Sequence, residues 1–226
     1  MQINVLHRPA MSMAQVSLEN GESITAESGA MVGMSANLQM ETGMQGGIGG
    51  ALKRKLGGES FFQNTFTAQG GPGEILLAHS LPGDIVTVPV PQTGLFIQST
   101  SYIAASPGVA VATEFGGFKN WLGGEGMFVL KATTSVPELP VIVGAFGGIY
   151  EIECNGDLVI DNGHLVAWET TLQYTMTKSA SGFVASFLSG EGMVFEFTGQ
   201  GRIWLQTRNP GEYGRTIGRM LKPRQQ

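Results

Sequence analysis

Glu59, Glu125 and Glu191 are the residues whose type and spacing could do chemistry. They lie 66 residues apart (125 − 59 and 191 − 125). Each follows a Leu-small-Gly step: Leu56-Gly57-Gly58, Leu122-Gly123-Gly124 and Leu188-Ser189-Gly190. Three carboxylates gathered on a threefold axis would present oxygens to a hard cation, at ligand distances of roughly 2.3–2.6 Å. The simpler expectation is that each Glu serves a glycine turn, accepting hydrogen bonds from free backbone amides. That use is preferred, and no bound metal is expected.

The elements that must position these residues follow from the same interval. Gly50, Gly116 and Gly182 are also 66 apart. Self-similarity at a fixed period predicts one unit written three times, with approximate bounds 1–72, 73–140 and 141–209. Strand-like runs follow each Glu: Phe61 to Thr67, Met127 to Thr133 and Met193 to Thr198. Their aromatic and β-branched residues suit a pleated, half-buried surface. A short helical patch precedes each Glu, through Ala51, Leu52 and Leu56 in the first copy. The glycine pair ends it, since glycine adopts the left-handed conformation without a Cβ penalty. A second signature, Gly21-Glu22, Gly83-Asp84 and Gly156-Asp157, opens alternating runs. A turn glycine (Gly29, Gly94, Gly163) and a second apolar run follow, which predicts hairpins. The predicted fold is all-β: β-hairpins plus one short helix per copy, in a pseudo-threefold sandwich or barrel. After Pro210 the spacing of Tyr213, Ile217, Met220 and Leu221 predicts a helix, so 210–226 forms a C-terminal basic helix and tail.

Composition narrows the function classes. The chain has 226 residues, 34 glycines and a formal net charge of −5. One cysteine, Cys154, leaves no internal disulfide framework and fits a reducing compartment. No apolar run approaches the roughly 20 residues that span a bilayer, and the N-terminus lacks the pattern of a signal peptide. Cytoplasmic localisation is expected. His7, His79 and His164 show no metal-ligand spacing and occupy unlike positions in the copies. Acidic neighbours of Cys154 disfavour a thiolate. The glycine-rich stretch Gly46 to Gly50 lacks the Gly-Lys-Ser/Thr of a phosphate loop. The early methionines Met11, Met13, Met31, Met34, Met40 and Met44 suggest core filling or an adaptable apolar interface. Nucleic acid needs a basic track. Lys53-Arg54-Lys55 become Lys119-Asn120-Trp121 and Ala185-Ser186-Phe187 in the other copies, so none recurs. DNA binding is not expected and RNA binding is disfavoured. Arg215, Arg219, Lys222 and Arg224 would be the residues of any peripheral membrane contact.

Gly57-Gly58-Glu59-Ser60-Phe61-Phe62-Gln63-Asn64-Thr65-Phe66-Thr67, preceded by Gly46-Gly47-Ile48-Gly49-Gly50-Ala51-Leu52-Lys53-Arg54, resembles the altered-inheritance-of-mitochondria protein 24 family. The resemblance covers nearly the whole chain. It implies a TRAP-like all-β fold with internal threefold duplication. It implies no activity, cofactor or catalytic residue. A yeast relative is linked to mitochondrial inner-membrane organisation, but without a targeting peptide that role is not carried over. The expected function is that of a non-enzymatic scaffold or adaptor, working through self-association or a protein partner. Small-ligand or RNA binding is the alternative.

Overall fold

The computed structural model of the protein describes residues 1–43, 61–114, 128–178 and 193–221. These form strands β1 (Gln2–Leu6), β2 (Met13–Leu18), β3 (Ser23–Glu27), β4 (Met31–Met34), β5 (Leu38–Gly43), β6 (Gln63–Ala68) and β7 (Gly73–Ala78). Next come β8 (Ile85–Pro89), β9 (Leu95–Gln98), β10 (Tyr102–Ala105), β11 (Val109–Thr113), β12 (Val129–Thr134) and β13 (Pro140–Gly144). The last strands are β14 (Ile149–Asn155), β15 (Leu158–Asp161), β16 (Leu165–Glu169), β17 (Gln173–Lys178), β18 (Met193–Thr198) and β19 (Gln200–Gln206), before helix α1 (Pro210–Met220).

Alternation makes the strands. In β2, Ala14, Val16 and Leu18 are buried while Met13, Gln15 and Ser17 face outward, the period-2 pattern of a sheet with one dry face. The strands form four sheets, in the orders β1-β2-β7-β4, β5-β6-β3-β10-β13-β8, β11-β12-β9-β16-β19-β14 and β15-β18-β17. Every strand pairing within them is antiparallel. Sheets pack face to face. One core joins Val16 of β2 and Ile75 of β7 to Ile24 of β3 and Phe66 of β6. A second joins Val88, Leu95, Tyr102, Leu130 and Trp204. A third is built on Trp168, whose ring lies 5.5 Å from Phe195 and 5.7 Å from Phe197.

Two expectations are corrected. None of the four sheets closes on itself, so the barrel alternative is not realised: each ends in strands paired on one side only. The runs read as hairpins also do not pair. β3 and β4 lie in different sheets, as do β8 and β9, and β15 and β16. The glycine turn carries the chain from one layer to the facing one, with Gly29 at φ 104° and Gly94 at φ 107°. Period-2 alternation is the same whether the next strand pairs alongside or crosses over, so residue pattern does not separate the two. The consecutive strands that do pair are β1 with β2, β5 with β6, β11 with β12 and β17 with β18.

The C-terminal helix is present. Asn209 caps it, its side chain accepting from the amides of Gly211 (2.9 Å) and Glu212 (3.2 Å), and Pro210 opens the first turn. Both are favoured at a helix start, because the side-chain oxygen satisfies free amides and proline has no amide to satisfy.

Candidate functional site

Glu59, Glu125 and Glu191 lie outside the described residues, as do the three helical patches and the glycine pairs that follow them. The described strands fix which connections carry them. These are the links between β5 and β6, β11 and β12, and β17 and β18. The paired strands last meet at Gly43 opposite Gln63, Thr113 opposite Leu130, and Lys178 opposite Met193. The three glutamates therefore fall on like connections of three antiparallel pairs. Among the described residues, no group of three or more His, Cys, Asp or Glu could hold a metal ion.

The other sequence candidates are dispersed. His7 is exposed, at φ 58°. His79 bridges the chain through Nε2 to the Thr100 carbonyl (2.7 Å) and Nδ1 to Leu81. His164 Nδ1 meets the Gln206 carbonyl at 2.8 Å. Cys154 is buried, and its thiol donates to the Gly156 carbonyl (3.4 Å). Arg215 pairs with Glu212 one helical turn earlier. Arg219 stands in the last turn of α1, while Lys222 and Arg224 lie outside the described residues.

The structure assembles two polar groups that the sequence reading missed. One is at the junction of β3, β6 and β10. The Tyr102 hydroxyl receives a hydrogen bond from Gln63 Nε2 (2.9 Å) and donates to the Thr25 carbonyl (3.2 Å). Burial, opposed by the Gln63 bond and aided by the Glu27 charge, raises the phenol pKa. Glu27 stands at the end of β3, opposite Gln63. Burial pushes its pKa up to about 7.

The second group locks the N-terminal segment to β8. Arg8 forks onto Asp84 through Nε to Oδ1 (2.9 Å) and Nη2 to Oδ2 (2.8 Å). The Ser12 hydroxyl and the Ile85 amide also donate to Asp84 Oδ1. Burial alone would raise the Asp84 pKa. The Arg8 and Ser12 hydrogen bonds, the Arg8 charge and the Ile85 amide outweigh it, and the carboxyl titrates below its ordinary range. A fork between a half-exposed guanidinium and a buried carboxylate fixes geometry; its donors are all within the chain.

What faces outward differs in character. Among the described residues, β4 pairs only with β7, and β15 only with β18. Met31, Val32 and Met34 of β4 are exposed, as is Val159 of β15. On α1, Tyr213 stacks edge-on against Phe146 (4.9 Å), while Ile217, Met220 and Leu221 are exposed. The methionines expected as core or interface thus lie on the outside at β4, at Met40 of β5 and at Met11.

Fold and surface together define an open, multi-sheet β protein with apolar side chains on free sheet edges. The family model described as mitochondrial biogenesis AIM24 matches residues 3–208, and the chain belongs to that family. An uncharacterized protein of Streptococcus pyogenes serotype M6 is 30% identical over 218 residues, spanning 92% of this chain and 86% of the relative. The crystal structure of protein SPYM3_0169 from Streptococcus pyogenes is similar at a TM-score of 0.79 with 26% identity, covering 97% of this chain and 99% of that one. The strand fold is therefore shared with that streptococcal protein. No helix among the described residues is long and apolar enough to cross a membrane.

Proposed function

We propose that the protein is a non-enzymatic assembly module built from three like units. The units are β2–β7, β8–β13 and β14–β19, and TRAP-like is the description that suits them. Support comes from a backbone irregularity. Register shifts interrupt the β4·β7 pairing between Met31 and Gly33, β10·β13 between Tyr102 and Ala104, and β16·β19 between Leu165 and Ala167. A bulge in the same strand of each unit is the kind of feature a duplicated fold keeps.

One observation carries the functional reading. Neighbouring units join by adding sheet edge to sheet edge: β3 pairs with β10, and β9 with β16. Edge addition is a recurrent mode of protein association, with main-chain hydrogen bonds supplying affinity. A soluble setting inside the cell belongs to this reading. The titratable groups that come together, Arg8 with Asp84 and Glu169 with Arg202, bond to one another and to the backbone, which suits structural duty.

Native mass spectrometry of the protein taken gently from its own cells tests the reading. A homo-oligomer or a stoichiometric protein complex is the expected mass. A discrete small-molecule or oligonucleotide mass on a single chain would overturn it in favour of a ligand-binding module.

A further inference from the structure

We infer that β14 is an acceptor edge for an extended basic segment of a different protein, which adds to it antiparallel with lysine or arginine facing Glu151 and Glu153. The inference rests on the assembly reading above and names the class of partner. In that reading β2, β8 and β14 are counterparts, the first strands of the three units. Each pairs on one side with the last strand of its own unit, β7, β13 or β19. On its other side β2 carries β1, whose Gln2, Ile3, Asn4 and Val5 face Ser17, Val16, Gln15 and Ala14. Among the described residues nothing pairs with that side of β8 or β14. The chain thus shows once, with its own N-terminal strand, what the edge of such a strand accepts.

The two open edges are not alike. The Val90 amide donates to the Leu139 carbonyl (3.0 Å), so Val90 turns its polar groups toward β13. Alternation then aims the nitrogen of Pro89 at the free edge, where proline has no hydrogen to donate. The edge of β8 is blunted. In β14 the flanking residues Gly148 and Gly156 bond toward β19, through the Thr207 amide and the Gly199 carbonyl. The amides and carbonyls of Ile149, Glu151, Glu153 and Asn155 therefore point outward, and unpaired amides invite another strand. β14 holds neither lysine nor proline. The recurring bulge equates Leu77, Val143 and Leu205, and so equates Ala14 with Tyr150 and Val16 with Ile152. Under β1, Ala14 and Val16 are both 0% exposed, whereas Tyr150 is 49% exposed and Ile152 is half-buried.

Charge and register specify the occupant. Glu151 and Glu153 are exposed, and among the described residues neither has an ion pair. Arg202, opposite Glu153 in the ladder, is held by Glu169 at 2.7 Å and lies over the Trp204 ring. A second copy of β14 is a poor occupant, because like charges directly opposite one another are destabilising. Carrying the β1 register to this edge, the incoming strand sets apolar residues against Ile152 and Tyr150 and basic residues against Glu153 and Glu151. It is β1 with Gln2 and Asn4 replaced by arginine and lysine. Main-chain bonds supply the affinity and the alternate side chains the choice of partner.

Fluorescence anisotropy of a labelled peptide, Gly-Arg-Ile-Lys-Val-Leu-Gly with blocked ends, titrated with the purified full chain, tests the pairing. Saturable binding is expected, and the peptide with glutamate in place of arginine and lysine should not bind. Methylating the backbone nitrogen of the lysine, which faces Glu151, removes one ladder bond and should weaken binding by about tenfold or more. The double variant Glu151→Lys with Glu153→Lys, altered only at exposed positions, should keep its melting curve and reverse the preference to the glutamate peptide. No saturation at about 1 mM overturns the inference. Equal binding of the glutamate peptide overturns it too, as does equal binding of the methylated peptide, which would leave a contact of charge alone. Should the lysine variant misfold, the methylated and glutamate peptides on the wild type decide. A chain that refuses the peptide, yet is an oligomer or a stoichiometric complex by native mass spectrometry, removes this edge and leaves the assembly reading intact. A single chain carrying a small molecule removes both.

Discussion

Glu27→Gln should make the protein more stable at pH 8 and change little at pH 5. Burial pushes the Glu27 pKa from its ordinary 4.5 up to about 7. Between those values the folded chain holds a proton that the unfolded chain releases. Stability therefore falls as pH rises through that window and levels off above about 7. The rise from 4.5 to about 7 would be worth about 3 kcal/mol. Glu27 is only partly buried, so solvent screening reduces the figure, and about 1–2 kcal/mol is the working value. Glutamine keeps the shape and removes the charge, so it recovers this amount where the wild type is ionised. For a chain of this length each kcal/mol moves the melting temperature by roughly 2–4 °C. Thermal melts of both proteins at pH 5 and pH 8 give the difference directly. Other titrating groups contribute equally to both proteins and cancel. A Glu27→Gln effect of the same size at the two pH values would refute the burial argument.

Three further perturbations probe the same framework. Asp84→Asn should cost about 1–3 kcal/mol, because it breaks the charge-assisted Arg8 fork while Oδ1 stays as acceptor for Ser12 and Ile85. In the wild type the lowered Asp84 pKa contributes stability that is present above its ordinary value and lost as pH falls through the folded value, so the variant's stability should fall less steeply than the wild type's over that acid range. Tyr102→Phe leaves Gln63 Nε2 without its acceptor and should lower the urea midpoint by an amount equal to about 1–3 kcal/mol. Gly83→Ala should destabilise by about 1–3 kcal/mol on calorimetry, since its Cβ would sit 2.1 Å from the Ala145 carbonyl oxygen and 2.6 Å from the Gly147 nitrogen.

Much of the strand content is legible in residue order. The runs from Phe61, Met127 and Met193 form β6, β12 and β18, because alternating side chains leave few other ways to bury one face. The terminal helix is legible through Asn209, Pro210 and the spacing of Tyr213 and Ile217. β5 is not. Of its six residues only Leu38 is buried, so no alternation marks it; pairing with β6 makes it a strand. Glu27 is illegible as a site for a related reason. In sequence it occupies an outward position of an alternating strand. Its burial depends on what the fold brings against the end of β3, where Tyr102 arrives from a strand more than 70 residues later (102 − 27).

Strand equivalence is where residue types mislead. Gly21-Glu22, Gly83-Asp84 and Gly156-Asp157 look alike, at uneven offsets of 62 and 73 residues (83 − 21 and 156 − 83). They open β3, β8 and β15. In the three-unit reading β3 and β15 are second strands and β8 is a first strand, so the middle member is misaligned. Its true counterpart is β9, which begins at Leu95 with no Gly-acid step directly before it. The bulges give offsets of 71 and 63 (102 − 31 and 165 − 102) through Met31, Tyr102 and Leu165, three residues of unlike type. A bulge is a fact of backbone pairing, and side-chain identity does not announce it. Nothing in Met31 to Met34 resembles Tyr102 to Ala105.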